Sequence, residues 1–299
     1  MRLDDWKQSR NIEDRRGSAR GGGGPFRSGG GGRKIGLGTV VIALAAWYFL
    51  GVNPLTILGG GDILSSVTGG ATGASAGYST SGTTGQEMTD QEGVFISKVL
   101  KTTETVWERI YAQNGWGTYP QPKLVLYTGA TRSACGVGQA QMGPFYCPAD
   151  EKIYIDLSFF RDTGRRLGVN GDFAQGYVIA HEVGHHVQQR LGLLDQYQRA
   201  KQSNPRQANQ ISVMSELQAD CFAGLWASEL VKAGNVIEPG DIEEAMEAAE
   251  AVGDDRIQKS QQGYAVPDSF THGTSAQRVA WFTRGMKTGN IHQCDPTRG

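Results

Sequence analysis

The 299 residues carry 29 Lys and Arg against 30 Asp and Glu, for a formal net charge of -1. So balanced a chain has no global field that argues for nucleic acid as a partner. Its glycines are unevenly spread and crowd the first third, in runs such as 21–24, 29–32 and 59–61.

Residues 1–34 are polar, Arg-rich and Gly-rich, with too few apolar side chains to build a core, so a disordered basic segment is expected there. Ile35 to Gly51 (IGLGTVVIALAAWYFLG) then runs without one charge, and Val52 to Leu58 extends it. A run of this length is read as a transmembrane anchor over 35–58, with Trp47 and Tyr48 suited to an interfacial position. Arg27, Arg33 and Lys34 precede it, while Asn53 to Gly60 carries no Lys or Arg. The positive-inside rule therefore predicts a single-pass protein with a cytoplasmic N-terminus and an exported C-terminal domain. Residues 59–87 are rich in Gly, Ser and Thr and read as a flexible tether. The folded domain is expected over 88–299, long enough for a real core.

Within it, Thr89-Asp90-Gln91-Glu92 opens a helix whose apolar stripe (Val94, Val99, Val106, Ile110, Tyr111) lasts until Asn114-Gly115. Lys123 to Tyr127 reads as a strand, and two more bracket the turn Pro148-Ala149-Asp150: Phe145 to Cys147, then Lys152 to Leu157. For the last, two readings stand equal: an edge strand able to pair with an extended peptide, or a strand that only packs in the core. Gly171-Asp172 starts a helix to about Leu191, and a second long helix spans about Gln210 to Lys232. Asp241 and Glu244 cap a third, and Thr274 or Ser275 caps a last one. Few strands followed by many helices make an α+β domain.

The four cysteines (Cys135, Cys147, Cys221, Cys294) contain no C-x-x-C pair, which argues against a cysteine-built zinc site. In an oxidising compartment they are disulfide candidates with three pairings open, Cys135 with Cys147 being the most natural pair.

The chemistry is concentrated in His181-Glu182-Val183-Gly184-His185-His186. His181 and His185 are one helical turn apart, about 6 Å, on one face. Two imidazoles so placed reach one Zn²⁺, while Glu182 is rotated from both and is the general base for the activated water. A histidine six residues beyond His185 would supply a third ligand, but position 191 is Leu, and position 188 is Gln where that motif has Gly. Ser215-Glu216-Leu217-Gln218-Ala219-Asp220 on the next long helix offers instead Glu216 as ligand and Asp220 as acceptor of a liganding histidine's free N–H. Three ligands leave a position open for water, the arrangement of catalytic zinc.

HEVGHH followed by SELQAD resembles the gluzincin pattern H-E-x-x-H…E-x-x-x-D. Together with the opening MRLDDWKQSRNIEDRRG, the apolar anchor and the ending THGTSAQRVAWFTRG, the chain resembles the bacterial neutral zinc metallopeptidases. The resemblance implies a zincin-like domain anchored in the bacterial inner membrane. It also implies His272 as a group opposite the metal that steadies the developing oxyanion, with Arg278 nearby, Tyr264 being the alternative to His272. His186 and His292 are expected to take no part. The expected function is zinc-dependent peptide hydrolysis on the extracytoplasmic side. The competing reading is an anchored zinc-containing binding module without turnover, which would have no use for Glu182; a hydrolase of another amide is a third.

Overall fold

The computed structural model describes residues 1–17, 82–167 and 171–298. Fifteen regular elements, short 3₁₀ turns aside, are described over these residues. They are β1 (Ile12–Asp14), β2 (Thr83–Thr84), α1 (Gln91–Asn114), β3 (Lys123–Tyr127), β4 (Ala130–Ser133), β5 (Gly136–Gln139), β6 (Phe145–Cys147) and β7 (Lys152–Asp156). Helices α2 (Ser158–Leu167), α3 (Asp172–Arg190), α4 (Leu193–Ser203), α5 (Ala208–Ala233), α6 (Asp241–Ala251), α7 (Asp254–Gln262) and α8 (Ser275–Thr288) follow. The mixture bears out the α+β reading. The anchor expected over 35–58 and most of the tether lie outside the described residues. Among the described residues no helix is long and apolar enough to cross a membrane.

One five-stranded sheet has the order β2-β1-β3-β7-β6, and β4 and β5 form a separate hairpin. β1, β3 and β7 run parallel, and β2 and β6 close the two edges antiparallel. Side-chain alternation sends Leu124, Leu126, Ile153 and Ile155 into the main core with the helices. Val125, Tyr127 and Tyr154 fall on the other face with Cys147. β7 is thus interior, paired on both sides, and the reading of it as a free edge is corrected: the edge on that side is β6. β3 pairs with β7 over Lys152–Asp156 and β6 over Lys152–Tyr154.

A second correction concerns the N-terminus. Residues 1–17 are part of the folded body. Met1, Leu3 and Ile12 are buried in the main core, and β1 lies between β2 and β3. Polarity does not prevent this, because the charges pair: Arg15 with Glu13, Glu13 with Lys152, and Arg16 with Asp14 and Asp90. The Met1 ammonium lies against Asp172 and Asp241. The domain therefore combines residues 1–17 with those from 82 onward.

Two of the cap signals are realised, and one is corrected: α6 starts after Gly240 with no side-chain cap, Asp241 being its first residue and Glu244 accepting from the Phe173 N–H instead. Asp90 accepts from the Gly93 N–H at the start of α1, and Gly115 ends it in the left-handed region. Thr274 and Gln277 form a capping box on α8. Two disulfides are present, Cys135–Cys147 and Cys221–Cys294, with no free cysteine.

Candidate metal centre

Helix α3 is buried along most of its length, which its composition permits because apolar residues separate the polar ones: Phe173, Tyr177, Ile179 and Val183 are all in the core. It lies close to α5. A Cβ at Gly184 would meet the Ala219 carbonyl oxygen at 3.1 Å, so the glycine between the two histidines sets how closely the helices approach. That approach brings Glu216 on α5 up to His181 and His185. The His181 Nε2 is 3.2 Å from one Glu216 oxygen, and the His185 Nε2 is 3.5 Å from the other. The three groups offer ligand atoms all within 4.8 Å of one another, in a buried setting.

The orientation of each imidazole is fixed from behind. The His181 Nδ1–H donates to Asp220 Oδ1 at 2.8 Å, and the His185 Nδ1–H donates to Gln188 Oε1 at 2.8 Å. Both Nε2 atoms are thereby turned toward Glu216, where each has a lone pair for a metal once its proton is displaced. Asp220 is held in turn by Tyr177, whose hydroxyl donates at 2.6 Å. Arg278 adds a two-pronged contact at 2.8 Å on each Asp220 oxygen. Gln188 donates to the Ser215 carbonyl and to Gln218, and Gln218 donates to the Cys294 carbonyl. One histidine thus leans on a carboxylate and the other on a neutral amide, which Gln218 links to the turn at Cys294.

Electrostatics follow from this packing. Burial alone works against charge on His181, but Asp220 and Glu216 outweigh it and raise the ring to about 9. Burial also opposes ionisation of Asp220, yet Arg278 and His181 hold it down at about 2. Burial raises Glu182, offset in part by His181 and His185. Glu182 is next to the cluster in sequence and makes no hydrogen bond or ion pair among the described residues. Two imidazoles, one carboxylate and converging lone pairs form the N/O donor set of catalytic zinc, so the residues present fit that ion.

His272 stands before α8 on a turn that rests on α5: a Cβ at Gly273 would touch Val213 and Leu217, either side of Glu216. Asp254 Oδ2 accepts the backbone N–H groups of Thr271, His272 and Gly273 at 2.7, 2.7 and 3.1 Å. The His272 Nδ1–H faces Asp254 Oδ1 at 3.2 Å. Burial lowers the His272 pKa, but Asp254 and Glu216 raise it further, so the net shift is upward. Tyr264 is 62 % exposed on the loop beyond α7. His186 points elsewhere. Its Nδ1 accepts from Tyr146 and its Nε2–H donates to the Pro120 carbonyl, and burial lowers it to about 4.

Every residue singled out for the metal (His181, His185, Glu216) and for its support (Asp220, Arg278) meets in one place. Sequence reading missed Tyr177, Gln188 and Asp254. Tyr177 sits one turn before His181 on the same face, a spacing that was available to be read. Asp254 is recognisable only once the fold returns it to the turn at His272.

The family described as "Putative neutral zinc metallopeptidase" matches residues 1–297. The chain is 48% identical over 301 residues to the uncharacterized protein YpfJ of Escherichia coli (strain K12), covering 99% of this chain and 98% of that one. It is 43% identical over 187 residues to the uncharacterized protein Rv2575 of Mycobacterium tuberculosis (strain ATCC 25618 / H37Rv), covering 59% of this chain and 62% of the relative. No solved structure matches.

Proposed function

The chain belongs to the neutral zinc metallopeptidase family, and on that premise we propose that it hydrolyses peptide bonds at this site, outside the cytoplasm, with Glu182 as general base. The observation that carries the reading is the convergence of His181, His185 and Glu216 beside Glu182, a buried carboxylate committed to nothing else. A zinc ion held by the three ligands acidifies water and polarises a carbonyl.

The chain's own residues do the rest. One Glu182 oxygen takes the proton of the attacking water as the new C–O bond forms, and returns it to the amine nitrogen as the C–N bond breaks. Burial, which raises Glu182, suits a group that must both accept and return a proton. His272 has Nδ1–H committed to Asp254, which leaves Nε2 as the nitrogen for the substrate. In its protonated form it donates from that nitrogen to the carbonyl oxygen as charge develops. Asp220, Tyr177 and Arg278 keep His181 in the ligating tautomer. The two disulfides support an oxidising, extracytoplasmic setting.

The test is single-turnover cleavage of a mixed peptide library by the full chain, with metal content measured in parallel. Glu182→Gln is expected to keep zinc and lose about 10²–10⁴-fold in rate. His272→Ala is expected to keep zinc and lose on the order of 10²-fold. Zinc-loaded wild-type protein that cleaves nothing would favour the binding-module reading. Cleavage that survives in Glu182→Gln would move the chemistry elsewhere.

A further inference from the structure

The chain is described as far as Gly17 and again from Gly82. These two points are neighbours. Asp14 pairs with Thr83 and Glu13 with Thr84 in the antiparallel β1–β2 ladder. A Cβ at Gly82 would meet the Asp14 carbonyl oxygen at 2.5 Å, so only glycine fits where the returning chain passes β1.

β1 is not an appendage that could detach. Its other edge pairs in parallel with β3, Ile12 opposite Leu124 and Asp14 opposite Leu126. The Leu124 N–H donates to the Asn11 carbonyl, and the Arg15 N–H donates to the Leu126 carbonyl. The buried Arg15 side chain donates to Thr131 and to the Arg132 carbonyl. Lys98 on α1 donates to the Leu3 carbonyl. Residues 1–17 and the body that carries the metal ligands are therefore one folded unit.

A bilayer core is about 30 Å thick, and one apolar passage places its two ends on opposite faces. Between residues 17 and 82 the sequence holds one uncharged apolar run long enough for a single passage, Ile35 to Leu58. A strand hydrogen-bonded inside a sheet cannot stand on the far side of a membrane from the rest of that sheet.

We infer that residues 1–17 and the metal-site domain lie on the same face of the membrane. On this assignment a single passage of the chain across the bilayer between residues 17 and 82 is excluded. The disulfides make the shared face the extracytoplasmic one. Charge counting pointed the other way: it rested on Arg27, Arg33 and Lys34 and took Ile35–Leu58 as a span crossed once, with no knowledge that residues 1–17 pair with the rest of the sheet.

The experiment uses the full chain in bacterial spheroplasts, with one thiol introduced at a time at exposed positions: Asp5→Cys or Lys7→Cys near the N-terminus, and Glu243→Cys on α6. All four native cysteines are paired, so a membrane-impermeant maleimide reads only the new thiol. Labelling of all three variants before lysis is expected, to a similar extent. Labelling of Glu243→Cys before lysis with Asp5→Cys and Lys7→Cys reacting only afterwards, or the reverse, would overturn the inference. Protection of all three until lysis would uphold the shared face and overturn the extracytoplasmic assignment. Resistance of each variant to limited trypsin, equal to that of the unmodified protein, certifies that the reporters sit on a folded chain.

Discussion

Asp220 shows how one side chain organises this centre. It is fully buried, and its two oxygens take hydrogen bonds from Tyr177, His181 and, twice, Arg278. A buried carboxylate survives only when so completely paired. That requirement made it legible: Glu216 and Asp220 interrupt a helix face that is otherwise apolar, and such an interruption needs a partner. His186 illustrates the opposite use of a histidine. It is held neutral by burial, at about 4 against an ordinary 6.5. The depressed folded value means that the unfolded chain binds the proton first, so stability from this residue is full above pH 6.5 and is lost as pH falls toward 4. Between pH 7 and pH 5 the loss is about 2 kcal/mol. Urea unfolding of wild type and His186→Gln at both pH values tests it. The wild type should lose about 2 kcal/mol more than the variant over that interval, with metal-linked terms cancelling in the comparison.

The crossing of α5 and α8 depends on two glycines. A Cβ at Gly224 would lie 2.0 Å from the Phe282 carbonyl oxygen, and one at Gly285 would lie 2.0 Å from the Cys221 carbonyl oxygen. Each obstacle is backbone, so no rotamer change relieves it. Gly285→Ala is expected to cost about 1–3 kcal/mol or more through overpacking. Because α8 carries Arg278, the variant should also hold metal less tightly; thermal unfolding and competition with a chelator measure the two effects separately. A fall in stability with unchanged metal affinity would show that Arg278 tolerates movement of α8. Long elements with strong punctuation, α1, α3, α5 and α8, were readable from their sequence. The hairpin β4–β5 was not, since ATRS and GVGQ lack the β-branched and aromatic content of a strand. Nor was α4: Gly192, which reads as the end of α3, also serves as the left-handed residue from which α4 departs.

At the scale of the whole molecule, residues 1–17 were the largest misreading. Local composition there is that of a disordered tail, and the order comes from distant partners: β3, Lys98, Lys152 and the Asp172–Asp241 pair. A stretch whose charges are matched only after folding cannot announce itself by apolar content. The consequence for stability is direct. Deleting residues 1–17 removes three buried apolar side chains at about 1.5–3 kcal/mol each and leaves β3 with an unpaired edge, so unfolding free energy should fall by more than about 4 kcal/mol. Replacing the buried Ile12 alone by Ala should cost about 2–5 kcal/mol. Denaturant titration of the two variants decides the matter, and stability equal to that of wild type would mean that β1 is dispensable. The Cys221–Cys294 bond adds a dimension of time. Its halves are 73 residues apart, and the second belongs to the same turn whose carbonyl receives Gln218, itself in contact with the support of His185. The helix that bears Glu216 is therefore fastened only after Cys294 has been synthesised. Until that moment an emerging polypeptide holds its ligands without the final clasp, and maturation of the centre waits on a residue made 73 positions after Cys221.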